Sequence, residues 1–112
     1  MESEAYQLLK QAFREKRAVG AGYDRHPRIF VVHALGWSRD HQERCHAWQF
    51  DGTSSQGTVP GWRCFDVRGL ESIVLGDPVA SYPQAVLPHN AGRPPICLAR
   101  FDREVPVRGR RV

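Results

Sequence analysis

The chain has 112 residues, 41% of them apolar and 25% charged, as in a single globular domain with a small core. This size argues against a large active-site cleft with its own lid. The formal net charge of +4 is uneven, since residues 1–77 carry 10 Lys or Arg and 10 Asp or Glu, whereas residues 78–112 carry 6 and 2. Arginine supplies most of the positive charge and suits phosphate and carboxylate groups, although a high-GC coding bias gives the same composition.

The cysteines and the first residues predict a reduced, cytoplasmic protein. Cys45, Cys64 and Cys97 are odd in number and widely spaced, which argues against a secreted disulfide framework. The chain is charged from Glu2 onward, so no signal peptide is predicted, and no apolar run approaches the ~18 residues of a membrane span.

The sequence SEAYQLLKQAFREKRAV predicts an N-terminal helix. Ser3 is a favoured N-cap residue, and Tyr6, Leu9 and Phe13 form an apolar stripe at helical spacing. Basic residues follow where the helix dipole favours them, and Gly20 lies beyond the predicted helix.

Five short strands are predicted next, at residues 19–23, 28–37, 43–50, 62–69 and 70–76. They are rich in β-branched and aromatic residues, and glycines lie at their ends, where a sheet bends sharply. One helix followed by such strands predicts a mostly β fold, namely a small, strongly bent antiparallel β-barrel.

The polar loop of residues 51–61 separates two predicted strands. In each strand, successive side chains are expected to point to opposite faces of the sheet. Arg63 is expected on the apolar face with Phe65, opposite Trp62. The preceding strand is expected to present His46, Trp48 and Phe50 on one face. The segment 51–57 has the composition of an anion-binding nest, and also that of an ordinary turn.

The C-terminal third differs in residue composition from the rest of the chain. Residues 78–95 hold five of the eight prolines and predict an extended linker or a surface-wrapping arm. Residues 96–101 are a candidate for one more strand, and a basic tail follows. We therefore divide the chain into a body, residues 1–77, and a Pro-rich basic C-terminal arm, residues 78–112.

The run from Tyr23 to Ile73 resembles the WYL domain of bacterial regulators. The helix LLKQAFREKRAV, the strand VVHALGW, the strand CHAWQF and the run GWRCFDVRGLESI stand in the order of that family's motifs. Two positions differ, because His46-Ala47-Trp48 replaces the Trp-Tyr-Leu tripeptide, and Gly69 replaces an arginine, with Arg68 one residue earlier. The chain looks like a stand-alone, degenerate WYL-like domain without a helix-turn-helix.

The resemblance implies an Sm-like, SH3-type β-barrel, with an extended C-terminal arm added in this chain. It also implies a non-enzymatic regulatory module, in transcription regulation, that senses a ligand or binds nucleic acid through basic residues in a groove. No cofactor is expected.

The candidate ligand- or nucleic-acid-binding site combines arginines with aromatic rings. Arginine makes bidentate contacts to phosphate, and aromatic rings stack bases. The predicted site residues are Tyr23, Arg28, His33, Gln49, Trp62, Arg63 and Arg68. The arginines would hold phosphate, Trp62 and Tyr23 would stack a base, and His33 and Gln49 would donate hydrogen bonds.

Each of these assignments has a structural alternative. Arg63 on an apolar face is also explained by an ion pair with Asp51 or Glu71, because buried charges are usually paired. The aromatic residues are also explained as core, and we expect Trp48 there.

Two further function classes follow from other residues. A protein-interaction or oligomerisation module, including a homodimer, would use the arm and its strand on a neighbour's sheet edge. A metal-dependent or cysteine enzyme is disfavoured, because Cys45 and His46 point to opposite faces of a strand and no CxxC occurs.

Overall fold

A computed structural model describes residues 2–54, 59–79 and 98–104. In chain order its elements are α1 (Glu4–Glu15), β1 (Arg17–Tyr23), β2 (His26–Trp37), β3 (Glu43–Gly52), β4 (Gly61–Asp66), a 3₁₀ turn (Val67–Gly69), β5 (Glu71–Pro78) and β6 (Arg100–Glu104). The described part of the chain has no helix with the length and apolarity needed to cross a membrane.

Helix α1 begins as the sequence predicts and ends earlier. The Ser3 side chain accepts a hydrogen bond from the Tyr6 amide at 3.0 Å, which satisfies one of the free N–H groups of the first turn. Lys16 caps the other end in a left-handed conformation with φ 56°, and β1 starts at the next residue. The helix therefore ends at Glu15, with Lys16 as its C-cap, and does not extend to Gly20.

The sheet is antiparallel, with the order β4-β3-β2-β1-β5. Strand β2 is long enough to pair with β1 through its first half and with β6 through its second half. Register shifts interrupt the β2–β3 pairing between Ile29 and Phe30 and between Val32 and Ala34, and such bulges bend a sheet.

The sheet is not closed into the predicted barrel. Closure needs the two outer strands to meet. Within the described residues, however, β4 pairs only with β3, and β5 pairs only with β1. The mostly β antiparallel architecture with one N-terminal helix is confirmed, and closure into a barrel is wrong.

The core lies between α1 and the face of the sheet that the helix covers, which we call the inner face. Burial of apolar surface here is the main stabilising contribution. Its fully buried members include Tyr6, Leu9, Val19, Phe30, Val32, Leu35, Cys45, Phe65 and Val67. The predicted sharing of one face by Arg63 and Phe65 is confirmed, since both are buried on the inner face.

Part of the predicted arm belongs to the sheet. The additional strand runs from Arg100 to Glu104, a few residues later than the predicted 96–101, and it pairs with β2 of the same chain. Residues 80–97 and 105–112, which include most of the arm, lie outside the described residues.

Candidate functional site

Arg28 lies at the end of the inner face where the β1–β2 turn meets the start of the β3–β4 loop, which we call the hairpin end. The side chain is buried, with 1% of the residue exposed. Its guanidinium donates hydrogen bonds at 3.1 Å to the Tyr23 carbonyl, to Gln49 Oε1 and to Ser54 Oγ. It also lies over the rings of Tyr23 and Phe65, at 5.4 and 5.6 Å from their centroids.

Gln49 fixes the other side of this arrangement. Its Nε2 donates to the carbonyl oxygens of Asp51 and Thr53, both at 3.0 Å, so that Oε1 is turned toward Arg28. Gly52 makes the turn possible because it adopts φ +91°, and a Cβ there would overlap the carbonyl of Pro27. This local geometry places Ser54, two residues after Gly52, beside the guanidinium of Arg28.

Arg63 approaches the same point from β4. It is 5% exposed, and its Nε donates to Ser54 Oγ at 3.1 Å while its Nη1 donates to the Trp62 carbonyl at 2.7 Å. Two guanidinium groups from different strands therefore converge on one hydroxyl oxygen. We call Arg28 and Arg63, with Ser54 between them, the arginine pair.

The two arginines affect each other electrostatically. Burial lowers the pKa of Arg28, and the nearby positive charge of Arg63 lowers it further, while Asp24 acts in the opposite direction. Burial also lowers the pKa of Arg63. Both shifts express the free-energy cost of holding positive charge out of water.

The alternative of a structural ion pair with Asp51 or Glu71 is not observed among the described residues. The ion pairs found there join Lys10 to Glu2 and to Asp102, Arg17 to Glu15, and Arg44 to Asp66. Asp51 is opposite Ile29 at an exposed position, whereas Arg63 faces the core. Moreover, the buried Nε of Arg28 has no hydrogen-bond acceptor.

His33 and Trp62 lie together on the opposite face of the sheet. The Trp62 ring stacks on His46 with centroids 4.9 Å apart and 9° between the planes, and it meets His33 edge-on at 4.8 Å. Trp48 also contacts Trp62 edge-on, at 5.0 Å, and is half-buried. Trp48 is therefore not in the core with Phe65, because strand alternation turns it toward the face of Trp62.

Tyr23 lies with the arginine pair, where it has several structural contacts. Its hydroxyl accepts a hydrogen bond from the Asp66 amide at 3.1 Å, and its ring meets Phe65 edge-on at 4.8 Å. A Cβ at Gly69 would lie 2.8 Å from the Tyr23 ring. The arginine that the family resemblance places at Gly69 would therefore displace this ring.

Arg68 is not brought to the arginine pair. It is exposed in the 3₁₀ turn and lines a separate shallow cavity of about 380 Å³ together with Glu2, Ser3 and Glu43 at the start of α1. The predicted site thus divides into three parts, with Tyr23, Arg28, Gln49 and Arg63 together, His33 and Trp62 on the other face, and Arg68 alone.

Ser54 is the residue that sequence reasoning did not single out. The composition of segment 51–57 indicated an anion-binding nest as one option, but no position within it was distinguishable. Only the hydrogen bonds from both arginines identify this serine. Residues 55–58 of that loop lie outside the described residues.

The cysteines differ from one another in chemistry. Cys45 is a free thiol on the inner face, and burial raises its pKa, which disfavours the reactive thiolate. Cys64 is disulfide-bonded, unlike the reduced thiols expected from the sequence. Among the described His, Cys, Asp and Glu side chains, no three gather closely enough to hold a metal ion.

Comparison of the chain with protein-family models, with curated proteins and with solved structures found no match.

Proposed function

We propose that this protein is a non-enzymatic, regulatory binding module whose ligand is anionic: a nucleotide, an oligonucleotide or single-stranded nucleic acid. The observation that carries the proposal is the convergence of Arg28 and Arg63 on Ser54 Oγ, at 3.1 Å each. Phosphate oxygens accept hydrogen bonds from arginine in this way, and charge-assisted bonds of this kind are roughly twice as strong as neutral ones.

The energetics of the pair favour an anionic partner. Two like charges close together and out of water destabilise the fold unless something compensates them. The only acceptors that the described residues offer to Arg28 are neutral, namely Tyr23, Gln49 and Ser54. A bound anion would relieve the repulsion, and that relief would contribute to binding.

Trp62 is the candidate for base stacking. Its carbonyl accepts a hydrogen bond from Arg63, so the backbone of β4 couples the tryptophan to the arginine pair. Its ring is half-buried on the face opposite the pair, beside His33 and His46. A ligand that uses both would cross the edge of the sheet at β4, with its phosphate on the arginines and a base against the indole.

A more specific fold assignment is part of the proposal. We propose an Sm-like, SH3-type arrangement related to the WYL domain. The support is the element order, with a helix, four consecutive antiparallel strands, a 3₁₀ turn and a fifth strand that returns beside β1. The motifs between Tyr23 and Ile73 follow that order.

Fluorescence anisotropy tests the proposal directly. A labelled single-stranded oligonucleotide should bind the full chain at low salt and more weakly at high salt, because phosphate contacts release counterions. Arg63→Gln should weaken binding about tenfold, since it removes a charged donor. Arg39→Gln is the matched control, because Arg39 is exposed in the β2–β3 turn and the charge change is the same. Equal affinities for the two variants would refute the assignment.

A second candidate is a protein-interaction module that forms a homodimer. The observation that favours it is an apolar strip across the sheet, where Ile29 and Val74 are 38% and 65% exposed and Gly20 lies between them in register. Light scattering of the full chain and of Val74→Asp would test this function. A dimer that Val74→Asp dissociates would support it, and a monomer in both samples would refute it.

A further inference from the structure

The charge of the arginine pair restricts the kind of anion that fits it. Arg28 and Arg63 bring two positive charges to one point, and all the Asp and Glu residues of the chain lie within the described residues. None of these carboxylates forms an ion pair with Arg28. Asp24 acts on Arg28 electrostatically without forming an ion pair with it. A dianion would balance both guanidinium charges, whereas a monoanion would balance only one of them.

Burial restricts the shape of the ligand. Arg28 is 1% and Arg63 is 5% exposed. An internal phosphodiester of a nucleic acid has a sugar on both sides, and both sugars need space wherever the phosphate is held. A terminal phosphate has a substituent on one side only, so it can reach groups this deep while the rest of the ligand stays outside.

The number of donors also matches a terminal phosphate. Arg28 Nη1 and Arg63 Nε both reach Ser54 Oγ, so an anionic oxygen that displaced this hydroxyl would receive both hydrogen bonds. The buried Nε of Arg28 is a further donor without an acceptor. A phosphate monoester offers three non-bridging oxygens and carries a charge of about −1.5 to −2 at pH 7, whereas a phosphodiester offers two and carries one charge.

We infer that the arginine pair binds the terminal phosphate monoester of a nucleotide or oligonucleotide, and not the phosphodiesters along its backbone. This inference rests on the proposed function and deepens it. The arginine pair recognises the phosphorylated end, and Trp62 and the outer surface contact the nucleotides that follow.

The test uses two oligonucleotides of identical sequence with the label at the 3′ end, one with a 5′-phosphate and one with a 5′-hydroxyl. Anisotropy titrations of the full chain should give at least about tenfold tighter binding for the phosphorylated form, as expected for added charge-assisted hydrogen bonds. Phosphatase treatment should remove the difference. Arg63→Gln should lower affinity for the phosphorylated form to that for the hydroxyl form, while Arg39→Gln keeps the preference.

The outcomes separate this inference from the proposed function. If both oligonucleotides bind equally and Arg63→Gln weakens both, the end-group inference is wrong and the binding function stands. A preference that survives in Arg63→Gln also overturns the inference. If neither oligonucleotide binds, both ideas fail. Circular dichroism melting of each variant establishes that it is folded, and Ser54→Ala is a second variant that alters the pair without removing a charge.

Discussion

The two ends of the inner face differ in the acceptors that their polar and charged donors meet. At the end formed by α1 and β6, which we call the β6 end, the Tyr6 hydroxyl donates to Asp102 Oδ2 at 2.9 Å. Lys10 Nζ lies 3.0 Å from Glu2 Oε2 and 3.9 Å from Asp102 Oδ2. Burial and the hydrogen bond to Asp102 both raise the pKa of Tyr6. At the hairpin end, Arg28 has only neutral acceptors.

Under the proposed function, charge at the β6 end is structural and charge at the hairpin end binds a ligand. A donor opposite a carboxylate holds α1 and β6 together and needs nothing further. Two guanidinium groups that share a serine are a costly arrangement for structure alone, because hydrophobic residues of similar size would stabilise a core at least as well. Retained like charges at one end are therefore the physical reason to place a ligand there.

The largest expected effect on stability comes from displacing β6 from β2 at the β6 end. Gly36→Ala places a Cβ where the Arg100 carbonyl oxygen and the Leu98 side chain now lie, so β6 must move away from β2. The contact is with backbone and cannot relax cheaply, so we expect a loss of about 3 kcal/mol in the free energy of unfolding, measured with urea.

Gly20→Ala is the matched control for that variant, because the nearest atom to its Cβ would be the Val74 carbonyl oxygen at 3.9 Å. The control should stay within about 0.5 kcal/mol of the original protein. Equal stability of the two variants would show that β6 does not hold the β6 end together.

A smaller effect is expected from Tyr6→Phe. This change keeps the buried ring and removes the hydrogen bond to Asp102, which should cost about 1.5 kcal/mol because the acceptor is charged. Oligonucleotide affinity should not change, since the arginine pair lies at the other end. A double-mutant cycle with Asp102→Asn should return a coupling energy of about 1 kcal/mol. No coupling would mean that this hydrogen bond does not stabilise the β6 end, and a loss of binding would mean that the two ends do not act separately.

The smallest expected effect is stabilisation of the protein by phosphate bound at the hairpin end. Inorganic phosphate at about ten times its dissociation constant should stabilise the protein by about 1.4 kcal/mol, because it binds only the folded state. Tyr6→Phe should keep this increment. Arg63→Gln should lose it and retain only the general stabilisation that excluded anions give any protein. Thermal melting with and without phosphate measures both, and an identical increment in Arg63→Gln would argue against an anion at the pair.

The sequence predicted the local features of this protein. The Ser3 cap, the apolar stripe of Tyr6 and Leu9, and the sharing of one face by Arg63 and Phe65 all follow from periods of 3.6 and 2, which depend only on neighbours in the chain. The sequence also placed Arg28, Gln49, Arg63 and Tyr23 in one candidate site, and these four do lie together.

Only the tertiary structure decided how those features meet. Trp62 and His33 face away from Arg63, Arg68 lies near the start of α1, and the sheet stays open. Strand pairing between distant segments fixed these outcomes, together with the left-handed turn at Gly52 that brings Ser54 over Arg28. The sequence shows that two arginines are present, but only strand register and turn geometry bring them to the same oxygen. Register and turn geometry depend on distant segments, so local periodicity does not predict them.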